Sequence, residues 1–395
     1  MPLRMPETPT DQHPGIFDRH ADFDPAGDFD AFLKSVPAKW VVYLLAAEDD
    51  QPVQLLCVKN LRQSLKRRLG GDETIGISRR VNYRDLVRRI HWRRVDSAFE
   101  ADWLYYEAAR AIFPDTYQGM VGFRPAWFVH VNPDSPFPRY VKTIDLSKPG
   151  LLLGPLEDKH TAASLIELAE DSFDLCRYYN ILVEAPAGRA CAYKEMGKCP
   201  APCDGSISME QYRGMVEWSA RSLVDPAPFV REHTKRMQQA AADLRFETAA
   251  RIKALVDQLA RLGKGPNRHV ALLRDFQFLS LQHGPREGTA KVFLVTPGRI
   301  EEIAGLIGEP AKISELLRLA FELAVARRDE KLGPAGAERI GIVSHHLFSA
   351  KNRGVFLRLD GVDEKAVAKA YRELRKQAPQ EETEGEGVMK ELQAL

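Results

Sequence analysis

The segment Gly197-Lys198-Cys199-Pro200-Ala201-Pro202-Cys203 has almost no aliphatic bulk, so no core of its own can hold it. Two prolines beside two cysteines stiffen it, as a chelating loop requires. Cys176 and Cys191 precede it, which leaves gaps of 14, 7 and 3 residues between successive cysteines. Four thiolates complete either a zinc site or an iron–sulfur site. Zinc sites usually carry two close pairs, and here only Cys199 and Cys203 are that close, which favours a cluster without separating the two. Arg177, Arg189, Lys194 and Lys198 stand nearby as cations to offset thiolate charge. Four buried or free thiols are the plainer reading.

A chain of 395 residues is long enough for two or three domains. Its 44% hydrophobic and 28% charged content is globular. No apolar run approaches the roughly 18 residues that a membrane helix needs, and residues 1–30 lack the apolar core of a signal peptide. The expectation is a cytoplasmic protein with no membrane partner, in which a disulfide framework is disfavoured. The net charge of +1 conceals an uneven distribution. Twelve lysines and arginines lie between Lys59 and Arg94, opposed only by Asp72, Glu73 and Asp85. A local basic field attracts polyanions even on a near-neutral molecule. DNA is the expected partner, through Lys59, Arg62, Lys66, Arg67 and Arg68; a solvated basic helix face is the alternative.

The fold class read from the pattern is α+β and multidomain. Residues 1–35 read as a disordered arm. Apolar runs at Trp40–Leu45 and Val53–Val58 predict a strand hairpin, followed by a basic helix at Leu61–Leu69 that stops at Gly70-Gly71. Helices are expected at Tyr83–Arg94 and Ser97–Ile112, completing a unit at 36–120. Strands at Trp127–Val131 and Tyr140–Ile144 open a second unit at 121–225. It contains a helix at Thr161–Phe173, the cysteines, and a helix at Met209–Val224 capped by Ser208. Val230–Leu262 is one unbroken helical pattern that spacing alone resolves into neither one helix nor two. After a linker at Gly263–Pro266, an α/β unit is expected at 267–377. Its strands are Val270–Leu281, Ala290–Thr296, Ile340–Ser344 and Gly354–Leu359, and its helices are Ile313–Arg328 and Asp363–Gln377. Residues 378–395 form an acidic tail. His345-His346 looks like a ligand pair, but neighbours on a strand face opposite ways, so a structural role is expected.

Cys191 to Val216 resembles the cysteine region of UvrC, the nuclease subunit of bacterial nucleotide excision repair. Gly154-Pro155, the helix after it and Cys176 look like the segment entering that region. Met237 to Leu262 resembles a UVR motif, a helical hairpin through which UvrC and UvrB associate. The resemblance implies two helices with Phe246 near the turn, and Phe246, Glu247 and Arg251 as contacts to a UvrB-like protein. It also implies a [4Fe-4S] cluster on Cys176, Cys191, Cys199 and Cys203, with zinc as the alternative, and it leaves Cys57 out of the site.

Pro37, Tyr43 and Lys59-Asn60-Leu61 are similar to the layout of the GIY-YIG nuclease domain with which UvrC begins. That layout implies catalytic roles for Tyr43 and for Glu107, the latter as ligand to magnesium or manganese. Departures are evident: Val41 replaces the first glycine, Gln54 the second tyrosine, Leu56 the second glycine, and Ser64 the catalytic arginine. Phosphodiester cleavage needs a cation on the phosphoryl oxygens, and serine supplies none. Arg67 or Arg68, about one turn away, is the candidate replacement. No RNase H-like endonuclease domain is recognisable. The resemblance therefore implies an accessory DNA-repair protein with a degenerate nuclease domain. The rivals are an active single-incision nuclease and a UVR adaptor of protein quality control like the McsA-type regulators.

Overall fold

A computed structural model describes residues 15–70, 82–122, 125–260, 262, 264–306, 311–328, 330–349 and 354–377. The acidic tail at 378–395, residues 1–14, Gly71, and Arg79 and Arg80 of the basic run lie outside these residues. Among the described residues the chain is mixed α and β, with three four-stranded sheets whose paired strands run antiparallel.

The first unit contains β1 (Arg19–Asp22), α1 (Phe29–Ser35), β2 (Val41–Ala46), β3 (Pro52–Val58), α2 (Leu61–Leu69), α3 (Tyr83–Leu86), β4 (Arg89–Arg94), α4 (Ala98–Ile112) and α5 (Tyr117–Met120). Its strand order is β1-β4-β2-β3. β2 is buried at every position, because helices cover both faces of the sheet. Strand alternation sends Tyr43 and Leu45 to the side packed by Leu61, Leu65 and Leu69 of α2. Val42 and Leu44 face the opposite side, against Leu104, Tyr105 and Ala108 of α4.

Two expectations need correction here. The predicted disordered arm is ordered where it is described, from residue 15. β1 pairs with β4 from Arg19↔Trp92 to Asp22↔Arg89, and Phe17, Phe23 and Leu33 are buried. The helix expected at Tyr83–Arg94 lasts one turn, and Arg89–Arg94 is a strand. Its polar residues reach across the sheet: His91 meets Asp50 at 3.0 Å, and Arg89 donates to the same carboxylate at 2.9 Å.

The middle unit has β5 (Trp127–Val131), β6 (Val141–Thr143), β7 (Leu151–Leu156), α6 (Lys159–Ser172), α7 (Tyr179–Leu182), α8 (Ala192–Glu195) and α9 (Met209–Val224). β7 was not expected from the sequence. A Cβ on its Gly154 would lie 2.6 Å from the Phe128 ring, so strand and ring approach only because this residue is glycine. Ser208 caps α9 as anticipated, in a reciprocal box with Gln211. The unbroken pattern that follows resolves into α10 (Ala227–Ala242) and α11 (Phe246–Leu259). Leu244 reverses the chain in the left-handed region at φ 58°, and the Arg245 amide donates back to Ala240 at 2.8 Å.

The chain then returns to the middle sheet. β8 (Ala271–Leu272) pairs with β7. A turn at Leu273–Asp275 separates β8 from β9 (Phe278–His283), so the single strand expected at Val270–Leu281 is two strands in two sheets. β9, β10 (Ala290–Thr296), β11 (Arg299–Leu306) and β12 (Val355–Arg358) form the third sheet, in the order β11-β10-β9-β12. The remaining helices are α12 (Ala311–Ala326), α13 (Pro334–Phe348) and α14 (Glu364–Lys376). Ile340–Ser344 lies within α13 and is not the strand expected: the helix is buried on most sides, so its apolar run carries no helical stripe.

Polar contacts along α4 fasten the first unit to the third. Lys291 of β10 meets Asp96 at 2.9 Å and Glu100 at 2.6 Å. His346 meets Asp102 at 2.8 Å, and Tyr106 donates to Glu338 at 2.6 Å. His346 is thus a structural partner, in keeping with the reading from sequence, although it acts from a helix rather than a strand.

Candidate functional site

Tyr43 is fully buried, and its hydroxyl lies 2.9 Å from Ser64 Oγ. Burial raises the Tyr43 pKa, against the pull of Ser64 and Arg68. Arg68 Nη1 donates to Gln54 Oε1 at 3.0 Å. The first-strand tyrosine, the residue in place of the second tyrosine, the serine in place of the catalytic arginine and a neighbouring cation therefore share one pocket. No solvent reaches the phenol.

Glu107 is not part of that group. It lies on α4, which packs the other face of the sheet. Both of its carboxylate oxygens are engaged by Arg339 of α13, at 2.6 and 2.8 Å. Tyr43 and Glu107 are thus separated by the thickness of the sheet. A nuclease site needs the water-activating group and the metal carboxylate around one phosphate, and this conformation does not bring them together. Arg339 and Glu338 could not have been found from sequence, since they come from more than 200 residues away.

The five basic residues expected to contact DNA divide into two sets. Lys59, Lys66 and Arg67 are exposed. Arg62 is exposed as well, and it also donates to the Val36 carbonyl at 2.9 Å, tying α2 to the end of α1. Arg68 is half-buried and turned inward to Gln54 as described above.

In the middle unit, Cys176, Cys199 and Cys203 are buried, and Cys191 is half-buried just before α8. Cys176 Sγ faces the Tyr178 carbonyl at 3.5 Å, and the neighbouring Cys176 is the main reason the Cys199 pKa is lowered. Burial opposes the shift, while the Ala201 amide and Arg177 support it. Cys203 is near enough to interact electrostatically with both. Among the nearby cations, Arg177 acts on the thiols, whereas Lys194 is held by Asp204 at 2.5 Å. Tyr212 of α9 accepts from the Cys176 amide at 3.1 Å, a support that the sequence did not signal. Among the described residues no three His, Cys, Asp or Glu side chains are gathered to hold a metal ion. The donor chemistry suits a thiophilic metal, and the positions are not closed around one.

The hairpin of α10 and α11 is apolar between its helices, where Ala240 and Ala249 are buried. Its tip is apolar and exposed: Leu244 is 73% and Phe246 64% accessible. Glu247 and Arg251 are also exposed, one turn apart on α11. Among the described residues no helix is long and apolar enough to cross a membrane.

Residues 126–222, from β5 to the last turn of α9, match the family model described as the UvrC/Cho excinuclease, middle domain. The cysteine segment lies inside that match, and over these residues the chain is similar to the middle domain of UvrC. It is similar to the UvrABC system protein C of Syntrophomonas wolfei, with 25% identity over 68% of this chain and 44% of the relative. The UvrABC system protein C of Kocuria rhizophila is 24% identical over 82% of this chain and 48% of the relative. That of Clostridium botulinum is 28% identical over 44% of this chain and 28% of the relative. The chain thus spans less than half the length of these relatives. No solved structure matches.

Proposed function

We propose that this chain is an accessory DNA-binding protein of nucleotide excision repair that makes no incision of its own. The middle-domain match supports the repair context. The observation that carries the accessory reading is the separation of Tyr43 from Glu107, with the phenol sealed and the carboxylate held by Arg339. Lys59, Lys66 and Arg67 supply the basic face for DNA. The exposed tip at Leu244 and Phe246 supplies a docking point for a UvrB-like protein.

A nicking assay on supercoiled DNA with magnesium or manganese tests this reading. Binding is expected at low salt, with no cleavage above background and no difference between wild type and Glu107→Ala. Metal-dependent nicking that Glu107→Ala abolishes would establish the nuclease reading instead. Capture of a Clp-type ATPase rather than a UvrB-like protein would favour the quality-control adaptor.

Cys176, Cys199 and Cys203, with Cys191 as the fourth ligand, are proposed to hold a [4Fe-4S] cluster, with zinc as the alternative. The group would cross-link the coil before α7 to the loop before α9. Anaerobic purification should yield iron and acid-labile sulfide in equal amounts, and Cys199→Ser should lose both. Zinc alone would identify the alternative. Protein free of both metals would exclude a resident metal.

A further inference from the structure

A cleft of about 550 Å³ opens between the first unit and the third sheet, away from the cysteines. Lys39, Lys59 and Arg94 line it from the first unit, and Arg286 and Arg375 from the third, beside the half-buried ring of Trp40. Its carboxylates are Asp96, already paired with both Lys291 and Arg94 at 2.9 Å, and the exposed Glu287. Lys39, Lys59, Arg286 and Arg375 have no carboxylate partner among the described residues. Like charges left unneutralised across a narrow gap repel, and an anion between them relieves the repulsion.

The walls are held in place. Arg94 donates to the Pro285 carbonyl at 2.9 Å, and Lys291 joins the units through Asp96, which lines the cleft. Arg286 sits on the tight turn between β9 and β10. That turn is closed by Gly284 N–H to Thr289 O at 2.9 Å and by Gly288 at φ +73°, and the Tyr371 hydroxyl pins it to α14. The Lys59 ammonium stands 5.7 Å from the Trp40 ring centroid. Lys59 also begins the exposed row that continues along α2 to Lys66 and Arg67, so the positive charge forms a track rather than a point.

We propose that this cleft binds the sugar–phosphate backbone of a single DNA strand, with Trp40 offering a face to a base. The proposal rests on the DNA-binding reading and names the form of DNA and where it lies. Cationic grooves with an aromatic platform are how single strands are held without sequence preference.

Fluorescence anisotropy of a labelled 12-nucleotide oligothymidylate on the full chain, between 50 and 200 mM salt, tests it. The double variant Arg286→Ala with Arg375→Ala replaces two exposed side chains, so the fold should persist. It should weaken binding by about tenfold at low salt and reduce the salt slope by about 1.4, at roughly 0.7 per phosphate contact on a single strand. If this variant binds as wild type while Lys66→Ala with Arg67→Ala does not, DNA binding stands and the cleft proposal falls. If wild type binds no oligothymidylate at 50 mM salt, the cleft proposal falls, and if it also leaves supercoiled duplex unbound, the DNA-binding reading falls with it. If pyrophosphate competes as well as unlabelled oligonucleotide, the cleft is a small-anion site and the strand proposal is overturned.

Discussion

Lys291→Met is expected to destabilise the protein by about 3–5 kcal/mol, the range found when one partner of a buried charge pair is removed. The Lys291 side chain is 15% exposed, and its partners Asp96 and Glu100 are 6% and 1% exposed. Burial alone would lower the Lys291 pKa, but Glu100 and Asp96 outweigh it and raise the value. Methionine fills the same space and leaves Glu100 without its ammonium, while Asp96 keeps only Arg94 at 2.9 Å. Urea denaturation at neutral pH reads the loss. Adding Glu100→Gln should restore part of it, because the stranded charge is then gone. A change below about 1 kcal/mol would mean that water reaches the cluster and that the bridge is worth no more than a surface pair.

Phe246→Ala is expected to leave folding intact and to weaken binding to a UvrB-like partner by about 30-fold, or roughly 2 kcal/mol. The ring is 64% exposed and contributes little to the chain's own core. The neighbouring Leu244 adopts a left-handed conformation that costs a side chain about 1–2 kcal/mol, yet it is 73% exposed. An apolar pair set out in water at such a turn is better explained by a partner than by folding. Isothermal titration of wild type and variant reads the effect. Equal affinities would remove the tip from the interface.

Much of the local structure was legible in the sequence. The limits of α2 and α9 were found at the residue, because Ser208 caps α9 and because Gly70 and Asp225 follow their last turns; the Asn60 cap of α2 emerges only in the structure. The turn between α10 and α11 came from the resemblance, since Leu244 carries no glycine or proline to mark it. β4 was misread because its arginines follow a helix-like basic run, and its strand character is set by contacts to Asp50 and β1. α13 was misread because a helix buried between two units shows no apolar stripe. The candidate site was legible only in part. Tyr43 and Ser64 were singled out by the resemblance and do meet, but Arg339 holds Glu107 through a contact that exists only once the third unit is in place.

The return of the chain through β8 has a mechanical consequence. The hairpin leaves the middle unit by α10 and comes back to the same sheet, with Phe229 at one foot and Leu259 and Leu262 at the other, all buried in that unit's core. Two anchored feet make a boom rather than a tether. The 14 residues of α11 span about 21 Å at 1.5 Å per residue. Whatever grips the tip is therefore held at a set distance and bearing from the body of the protein, and a pull at one end is transmitted to the other without slack.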